Sequence, residues 1–311
     1  MLREKRALLQ AVWHHYRRPE PADGPPLSAL PTHPLVSVLV VTGDRPALLM
    51  GALAALRRQT WQSREIFVVD HAGDLEIDDP DVRLIRAPGV SLGEARQRGV
   101  EAAGGEVVAF TDDDCLPEPG WLAALVGALR DNAAWRGVQG RTVAELGPVG
   151  SHAVRVARGN ALYQTCNIAY RKEALVEAGG FDTDFQGWFE DTGLAARVLE
   201  RGPIGFAGDA VVMHRAVPRR PLGRSSWRVL LQDERLLARR YAGFYRRTRG
   251  PATNFTMIVR WLVGSPIKTL ARELPRASGN PRAYGALAWS LLRDRIDLAR
   301  VLLEARRNRG S

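Results

Sequence analysis

A short apolar run that ends in three consecutive carboxylates constrains this chain most. Val107 to Phe110 reads as a buried strand, and Asp112, Asp113 and Asp114 follow directly after Thr111. Pro117 and Pro119 then lead into a helix whose apolar stripe is Trp121, Leu122, Leu125, Val126 and Leu129. Like charges at the carboxyl end of a core strand repel one another and resist burial. A hard divalent cation, which takes oxygen ligands and bridges phosphates, relieves that repulsion. A solvated acidic loop that caps the next helix relieves it as well.

The segments before this stretch alternate strand and helix. Val36 to Val41 is a β-branched run suited to a central parallel strand. Thr42 to Pro46 turns into a helix with Leu49, Ala52, Leu53 and Leu56 inward. Glu65 to Val69 is a second strand ending at Asp70, and Val82 to Ile85 a third. A helix over 91–103 precedes the strand that carries the aspartates. This order predicts a doubly wound α/β sheet, in which ligands gather at the carboxyl ends of the strands. Asp70 and the Asp112–Asp114 cluster lie on that rim. No Gly-x-Gly-x-x-Gly follows the first strand, which argues against a dinucleotide site.

Beyond the aspartates, Arg141 to Leu146 and Gln164 to Tyr170 read as strands, and Lys172 to Ala178 as a short helix stopped by Gly179 and Gly180. A helix runs from Asp191 to Glu200 with Leu194, Val198 and Leu199 inward. Two short strands, Ile204 to Phe206 and Ala210 to Met213, deliver His214. After Pro221 the pattern is helical. One stripe is marked by Trp227, Leu230, Leu231 and Tyr241. Another, Phe255, Ile258 and Leu262, is broken by Gly264 and Pro266, and a third runs through Tyr284, Leu287, Leu291 and Leu302.

Charge divides the chain as clearly as periodicity does. The 311 residues carry a formal net charge of +10, yet 215–311 hold 22 Lys+Arg against 6 Asp+Glu, whereas 36–214 are net −8. A basic amphipathic tail behind an acidic domain suits an anionic partner, either a membrane surface or nucleic acid, and packing back onto the domain is the competing explanation. At the other end, residues 2–16 place Leu9, Val12, Trp13 and Tyr16 on one face of a basic helix, and Pro19 to Pro34 reads as an extended linker. Two cysteines without metal or disulfide spacing suit a reducing compartment. The N-terminus lacks the pattern of a secretory signal, and no apolar run reaches the roughly 18–20 residues of a spanning helix.

The ordered motifs together resemble a family 2 glycosyltransferase of the GT-A fold. They are Val-Ser-Val-Leu-Val-Val-Thr-x-x-Arg-Pro at 36–46, Glu-Ile-Phe-Val-Val-Asp at 65–70, Ala-Arg-Gln-Arg-Gly at 95–99 and Gly-Glu-Val-Val-Ala-Phe-Thr-Asp-Asp-Asp at 105–114. Cys-Asn-Ile-Ala-Tyr-Arg at 166–171, Gly-Gly-Phe-Asp at 179–182, Glu-Asp-Thr-x-Leu at 190–194 and Ala-Val-Val-Met-His at 210–214 continue the series. The resemblance covers about 36–216 and neither end. It implies an α/β, mostly parallel sheet with helices on both faces, followed by a basic helical extension. The expected layout is an N-terminal helix and linker over 1–35, a catalytic domain over 36–216 (donor half 36–115, acceptor half 116–216) and a helical region over 217–311.

The same resemblance implies an inverting transfer of one sugar from a nucleotide-diphosphate sugar to an acceptor hydroxyl. Thr42, Asp70 and Arg96 fall in the donor pocket with Asp112 and Asp113, and Asp114 would bind Mg²⁺ or Mn²⁺ at the diphosphate. His214 either completes the metal site or is a strand-end histidine. Asp191 matches the catalytic base, with Glu190 and Trp188 on the acceptor side, although acidic N-capping and core packing are the plainer roles for these residues. The chain departs from the pattern at His71, Gln97 and Gly193, so neither the donor base nor the acceptor is fixed by the motifs. The Gln-x-x-Arg-Trp motif of processive synthases is absent, which favours single transfer. The expected setting is the cytoplasmic face of the cell membrane, peripherally bound, with a lipid-linked or glycan acceptor. Nucleic acid is disfavoured, since no aromatic-interleaved motif or zinc spacing accompanies the arginines. A catalytically inactive binding protein and a sugar nucleotidyltransferase are the alternatives. The latter expects a Gly-rich loop and a Lys after the first strand, and Thr42-Gly-Asp-Arg-Pro46 offers neither.

Overall fold

A computed structural model describes residues 24–25, 27–218, 221–250, 254–277 and 280–307. The helix expected over 2–16 and the first part of the Pro-rich segment lie outside these residues. The described chain folds as two compact units, an α/β unit (through Glu145, then Ala153–Arg215) and a helical unit (Leu146–His152 and 216 onward).

The α/β unit is built on one sheet of eight strands. These are β1 (Val36–Thr42), β2 (Arg64–Asp70), β3 (Val82–Arg86), β4 (Val107–Asp112), β5 (Cys115–Pro117), β6 (Gly137–Ala144), β8 (Ile168–Arg171) and β9 (Ile204–His214). Their spatial order is β3-β2-β1-β4-β8-β6-β9-β5. The first four are mutually parallel, β8 runs antiparallel to both of its neighbours, and β6 pairs parallel with β9. Helices α1 (Pro46–Arg57), α2 (Leu92–Ala102) and α3 (Trp121–Asp131) cover the sheet, and α4 (Lys172–Glu177) and α5 (Glu190–Leu199) follow.

Every residue of β1 is buried, as a central parallel strand requires. Val38, Val40, Val107 and Ala109 on one face meet Leu49, Leu53 and Leu56 of α1 and Leu122, Leu125 and Leu129 of α3. On the other face Val41 and Val69 pack with Ala87 and Ala95. Burying each leucine of this kind contributes about 1.5–3 kcal/mol. The mixed, mostly parallel sheet and the helical tail match the sequence expectation.

Four details differ. The strand expected over 141–146 is Gly137–Ala144. The strand expected over 164–170 is shorter, Ile168–Arg171. The two short strands expected over 204–213 are one continuous strand, β9, with a register shift opposite Gly140 and Arg141. Only glycine fits at 140, because a Cβ there would lie 2.3 Å from the Asn167 side chain and 2.4 Å from the Ala210 carbonyl oxygen. Asn167 fastens the irregularity, donating to the carbonyls of Arg141 and Ala210 while accepting from Trp121 Nε1 at 2.8 Å. The described part of the Pro-rich segment is also anchored rather than loose. The Pro34 carbonyl accepts from Trp61 Nε1, the Ser28 carbonyl from Arg171, and the Pro25 carbonyl from Arg136.

The helical unit contains a two-stranded ribbon, β7 (Ser151–His152) with β10 (Val217–Pro218). Its helices are α6 (Arg224–Arg240), α7 (Ala242–Arg249), α8 (Asn254–Val259), α9 (Ser265–Ala277) and α10 (Pro281–Arg307). Gly264 and Pro266 do not break the helix there. A π-helical turn, Arg260–Gly264, carries it from α8 into α9. Trp227, Leu230, Leu231, Leu298 and Val301 form the core, with the Trp227 and Trp261 rings edge to face at 5.6 Å. Beside it, buried Glu234 accepts from Arg249 Nη1 at 3.0 Å, from Tyr245 Oη at 2.5 Å and from Arg260. Burial pushes this carboxyl up, but the two guanidinium groups and the phenol outweigh it and hold it below its ordinary value.

Candidate active site

The carboxyl rim of the parallel strands collects the predicted donor residues. Parallel register puts Thr42 opposite Asp70 and Val41 opposite Asp112, so β1, β2 and β4 end at one level. Asp70 is buried, and its two oxygens accept the amides of Ala72 at 3.0 Å and Leu75 at 2.8 Å. Arg86 stands 3.7 Å away. Asp70 thereby shapes the loop after β2, while His71 Nε2 is tied to the Val90 carbonyl at 2.6 Å.

The three aspartates are not equivalent. Asp113 is fully buried and accepts from Thr42 Oγ1 at 2.6 Å and Arg45 Nε at 3.1 Å. Burial lifts its carboxyl to about 6, against the pull of Thr42 and Arg45. Asp112 and Asp114 turn elsewhere. Each of Asp112, Asp114, Cys115 and His214 offers a ligand atom, and these atoms lie within 4.8 Å of one another. The short antiparallel pairing of β5 with β9 creates this meeting by setting Cys115 opposite His214.

The donor set fits a hard or borderline cation. His214 Nδ1 is 3.0 Å from the Arg215 carbonyl oxygen. A carbonyl only accepts, so Nδ1 carries the proton and Nε2 is directed at Asp114 Oδ1, 3.6 Å away. A backbone carbonyl fixing the outer nitrogen of a metal-binding imidazole is a common arrangement. Cys115 is a poor fourth ligand, because its hydrogen bond with Cys166 and its burial push the thiol well above the ordinary value. Two carboxylates and an imidazole suit Mn²⁺ or Mg²⁺ better than a thiolate metal.

Arg45 is the residue of this rim that sequence reasoning passed over as a site candidate. It spans the acidic pair, with Nη1 2.8 Å from Asp114 Oδ2 and Nη2 paired to Asp113 Oδ1. Asp114 thus gives one oxygen to Arg45 and turns the other toward His214. The available signal was the position of Arg45, three residues beyond the end of β1 on the same rim.

Across from the cluster stands the start of α5. Phe189 adopts a left-handed backbone, φ 67°, which is costly for a bulky residue and swings Glu190 and Asp191 into the first turn of the helix. Glu190 is buried and pairs with Arg96, which is itself buried. The other arm of Arg96 lies 3.6 Å from Asp112 Oδ1. Asp191 Oδ1 accepts the Thr192 amide at 2.6 Å. Burial, followed by the charge of Glu190, raises the Asp191 carboxyl to about 7, with Arg96 and Thr192 opposing. Trp188 is 36% exposed beside these acids. A carboxylate that titrates near neutrality suits proton abstraction. Thr42 and Asp113 are therefore hydrogen-bonded to each other, Arg96 to Glu190, and Asp112, Asp114 and His214 converge. A cavity of about 540 Å³ bordered by Leu30, Glu106, Lys172 and Val176 opens at the opposite, amino-terminal end of β4, away from this rim.

Comparisons with known proteins agree with the geometry. Residues 37–145 match the family model described as Glycosyl transferase family 2. The putative glycosyltransferase EpsH of Bacillus subtilis is 32% identical over 107 residues, covering 32% of this chain and 31% of that protein. The glucosyl-dolichyl phosphate glucuronosyltransferase of Haloferax volcanii is 26% identical over 182 residues, covering 48% of this chain and 56% of that protein. The chain therefore spans about a third and about half of the length of these two relatives. Among solved structures, the mannosyltransferase PcManGT from Pyrobaculum calidifontis, in complex with GDP-Man and Mn²⁺, superposes with a TM-score of 0.55 at 18% identity. The match covers 97% of this chain and 93% of that one. The fold is thus of the GT-A type.

Proposed function

Proceeding from the family 2 glycosyltransferase domain that residues 37–145 form, we propose that this protein transfers one sugar from a nucleotide-diphosphate sugar to an acceptor hydroxyl, with inversion. One observation carries the reading: ligand atoms of Asp112, Asp114 and His214 converge on the donor rim while Asp191, titrating near 7, faces them from α5. The donor half is 36–115, the acceptor half 116–216, and 217–311 is a helical extension.

In this reading Thr42 and Asp70 border the nucleoside, and Asp112 with Arg96 borders the sugar-diphosphate. Asp114 and His214, with Asp112, would hold Mn²⁺ or Mg²⁺. Bound there, the ion supplies charge neutralisation at the diphosphate, whose negative charge grows as the bond to the sugar breaks. Asp191 takes the acceptor proton as the hydroxyl oxygen bonds to the anomeric carbon, and the electron pair of the breaking bond leaves on the diphosphate. Trp188 offers the acceptor an apolar platform, and the charge of Glu190 helps keep Asp191 basic against the pull of Arg96. Attack from the side opposite the leaving group inverts the anomeric centre. The acceptor is a lipid-linked or surface-glycan precursor reached at the inner membrane face, in keeping with the basic tail. No helix among the described residues is long and apolar enough to cross a membrane.

A thermal-shift screen of sugar nucleotides with Mn²⁺ tests the donor side. Stabilisation by one or a few donors, abolished by Asp114→Ala, is the expected result. Stabilisation by none, or full stabilisation of Asp114→Ala, contradicts it.

A further inference from the structure

The helical unit hides its acids and displays leucines. Of the six acidic residues in 215–311, Asp233, Glu234, Glu273, Asp294 and Asp297 are buried. The sixth, Glu304, is ion-paired to Arg224 and Arg228. What faces outward is cationic and apolar.

Helix α9 shows this most plainly, because it is inside out. Glu273 is fully buried, bonded to Arg272 Nε at 2.7 Å and accepting the Gly150 amide at 3.2 Å. Ile267, Leu270 and Leu274 are instead 37–45% exposed. At 100° per residue these three fall within about 60° of one another, a single stripe. Lys268 lies about 100° round the helix from Ile267, and Arg272 lies on the far side, bonded to Glu273.

Helix α10 repeats the pattern with a second apolar face. Leu287, Leu291, Leu298 and Val301 are buried. Trp289, Leu292, Ile296 and Leu303 are 40–64% exposed and again fall within about 60° of one another. Arg282, Arg293 and Arg300 are exposed at the edge of that stripe. Scattered surface leucines are ordinary, but aligned stripes, the second edged by long cations, mark a surface that sits in contact with something apolar below and anionic above.

We propose that these two stripes, Ile267-Leu270-Leu274 and Trp289-Leu292-Ile296-Leu303, dock the protein on an anionic lipid bilayer. The apolar side chains enter the acyl boundary, and Arg282, Arg293 and Arg300, at the edge of the second stripe, reach the headgroups. The choice of lipid over a protein partner rests on charge: every acid of the region is turned inward or paired, leaving a cationic rim on which the one partly exposed carboxylate, Glu304, is neutralised by Arg224 and Arg228. This deepens, and rests on, the membrane setting proposed above.

Flotation of the full chain with vesicles tests it. Wild type should float with phosphatidylcholine–phosphatidylglycerol vesicles, less so in high salt, and not with phosphatidylcholine alone. Leu270→Ser with Leu274→Ser, or Trp289→Ser with Leu292→Ser, should each reduce floated protein at least about tenfold, as expected for losing two inserted side chains. Both variants should melt as wild type does. Wild type that stays unbound with anionic vesicles, or variants that float equally well, would overturn the proposal. So would a wild-type dimer that the variants convert to monomer without any flotation. Nucleotide release from the donor, assayed without vesicles, should be the same in wild type and variants. Its absence from wild type that floats would refute the catalytic reading and leave the surface standing.

Discussion

Arg96 and Glu190 form a buried ion pair that joins α2, on the donor side, to the first turn of α5. The same guanidinium lies 3.6 Å from Asp112. One cation therefore touches a carboxylate of the candidate metal cluster and the neighbour of the candidate base. Its position makes the two halves of the site electrostatically dependent on each other.

Removing that cation has two consequences. Arg96→Ala leaves the Glu190 charge buried and unpaired, a loss of about 3–5 kcal/mol of stability. It also removes an attraction that holds the Asp191 carboxyl down, so the acid limb of the pH–rate profile moves to higher pH. Arg96→Lys keeps the charge and should leave the limb near its wild-type position, which separates electrostatics from misfolding. An unchanged limb in a folded Arg96→Ala would show that the pair does not act on Asp191.

The Asp191 carboxyl is raised from about 3.8 to about 7. A base works unprotonated, so turnover should rise with pH through about 7 and then level. Stability runs the other way. A carboxyl with a raised folded pKa binds its proton more tightly in the native state, so the penalty for ionising it grows between about 3.8 and 7. Asp191→Asn should melt higher than wild type well above pH 7 and show no such gain at acid pH, while turnover falls about 10²–10⁴-fold. Melting curves across pH check this.

Metal affinity should follow the ligand geometry. His214→Ala and Asp114→Asn are expected to weaken Mn²⁺ binding about 10–100-fold or more, read by calorimetric titration. Arg45→Ala removes a positive charge from Asp114, so the variant should bind Mn²⁺ more tightly without nucleotide yet melt lower without metal. Weaker Mn²⁺ binding by Arg45→Ala would mean that Arg45 positions Asp114 rather than competing for it.

In the helical unit, Glu234→Ala removes the buried carboxylate that Arg249 and Arg260 both pair with. A loss of about 3–5 kcal/mol is expected, seen as a lowered denaturation midpoint, with little change in donor binding.

Much of the α/β unit was legible because local patterns and global fold agree there. The β-branched run at Val36–Val41 is buried on both faces, and the stripes of α1 and α3 pack where their spacing put them. Asp112, Asp114 and His214 were readable as strand ends, but their meeting is made by the pairing of β5 with β9, which the sequence did not announce. What periodicity could not show was pairing across the sheet. Thr42 with Asp113, Arg45 over two aspartates, and Arg96 with Glu190 are long-range pairings set by side-chain direction. β9 read as two strands because Gly208, Asp209 and Ala210, which fall between the residues paired with Gly140 and Arg141, interrupt its pattern. The tail was the least legible. Its arginines read as one basic surface, yet Arg249 is consumed by buried Glu234, and α9 turns its leucines outward, a direction that composition does not encode.

The central claim is a cation-assisted transfer with Asp191 as base. Release of nucleoside diphosphate from the donor selected by the thermal-shift screen tests it most directly, measured with Mn²⁺, with chelator, and in Asp191→Ala. Release that needs Mn²⁺ and falls at least about 10²-fold in a folded Asp191→Ala is the predicted result. Release that persists unchanged in Asp191→Ala, or that ignores the chelator, would contradict the account.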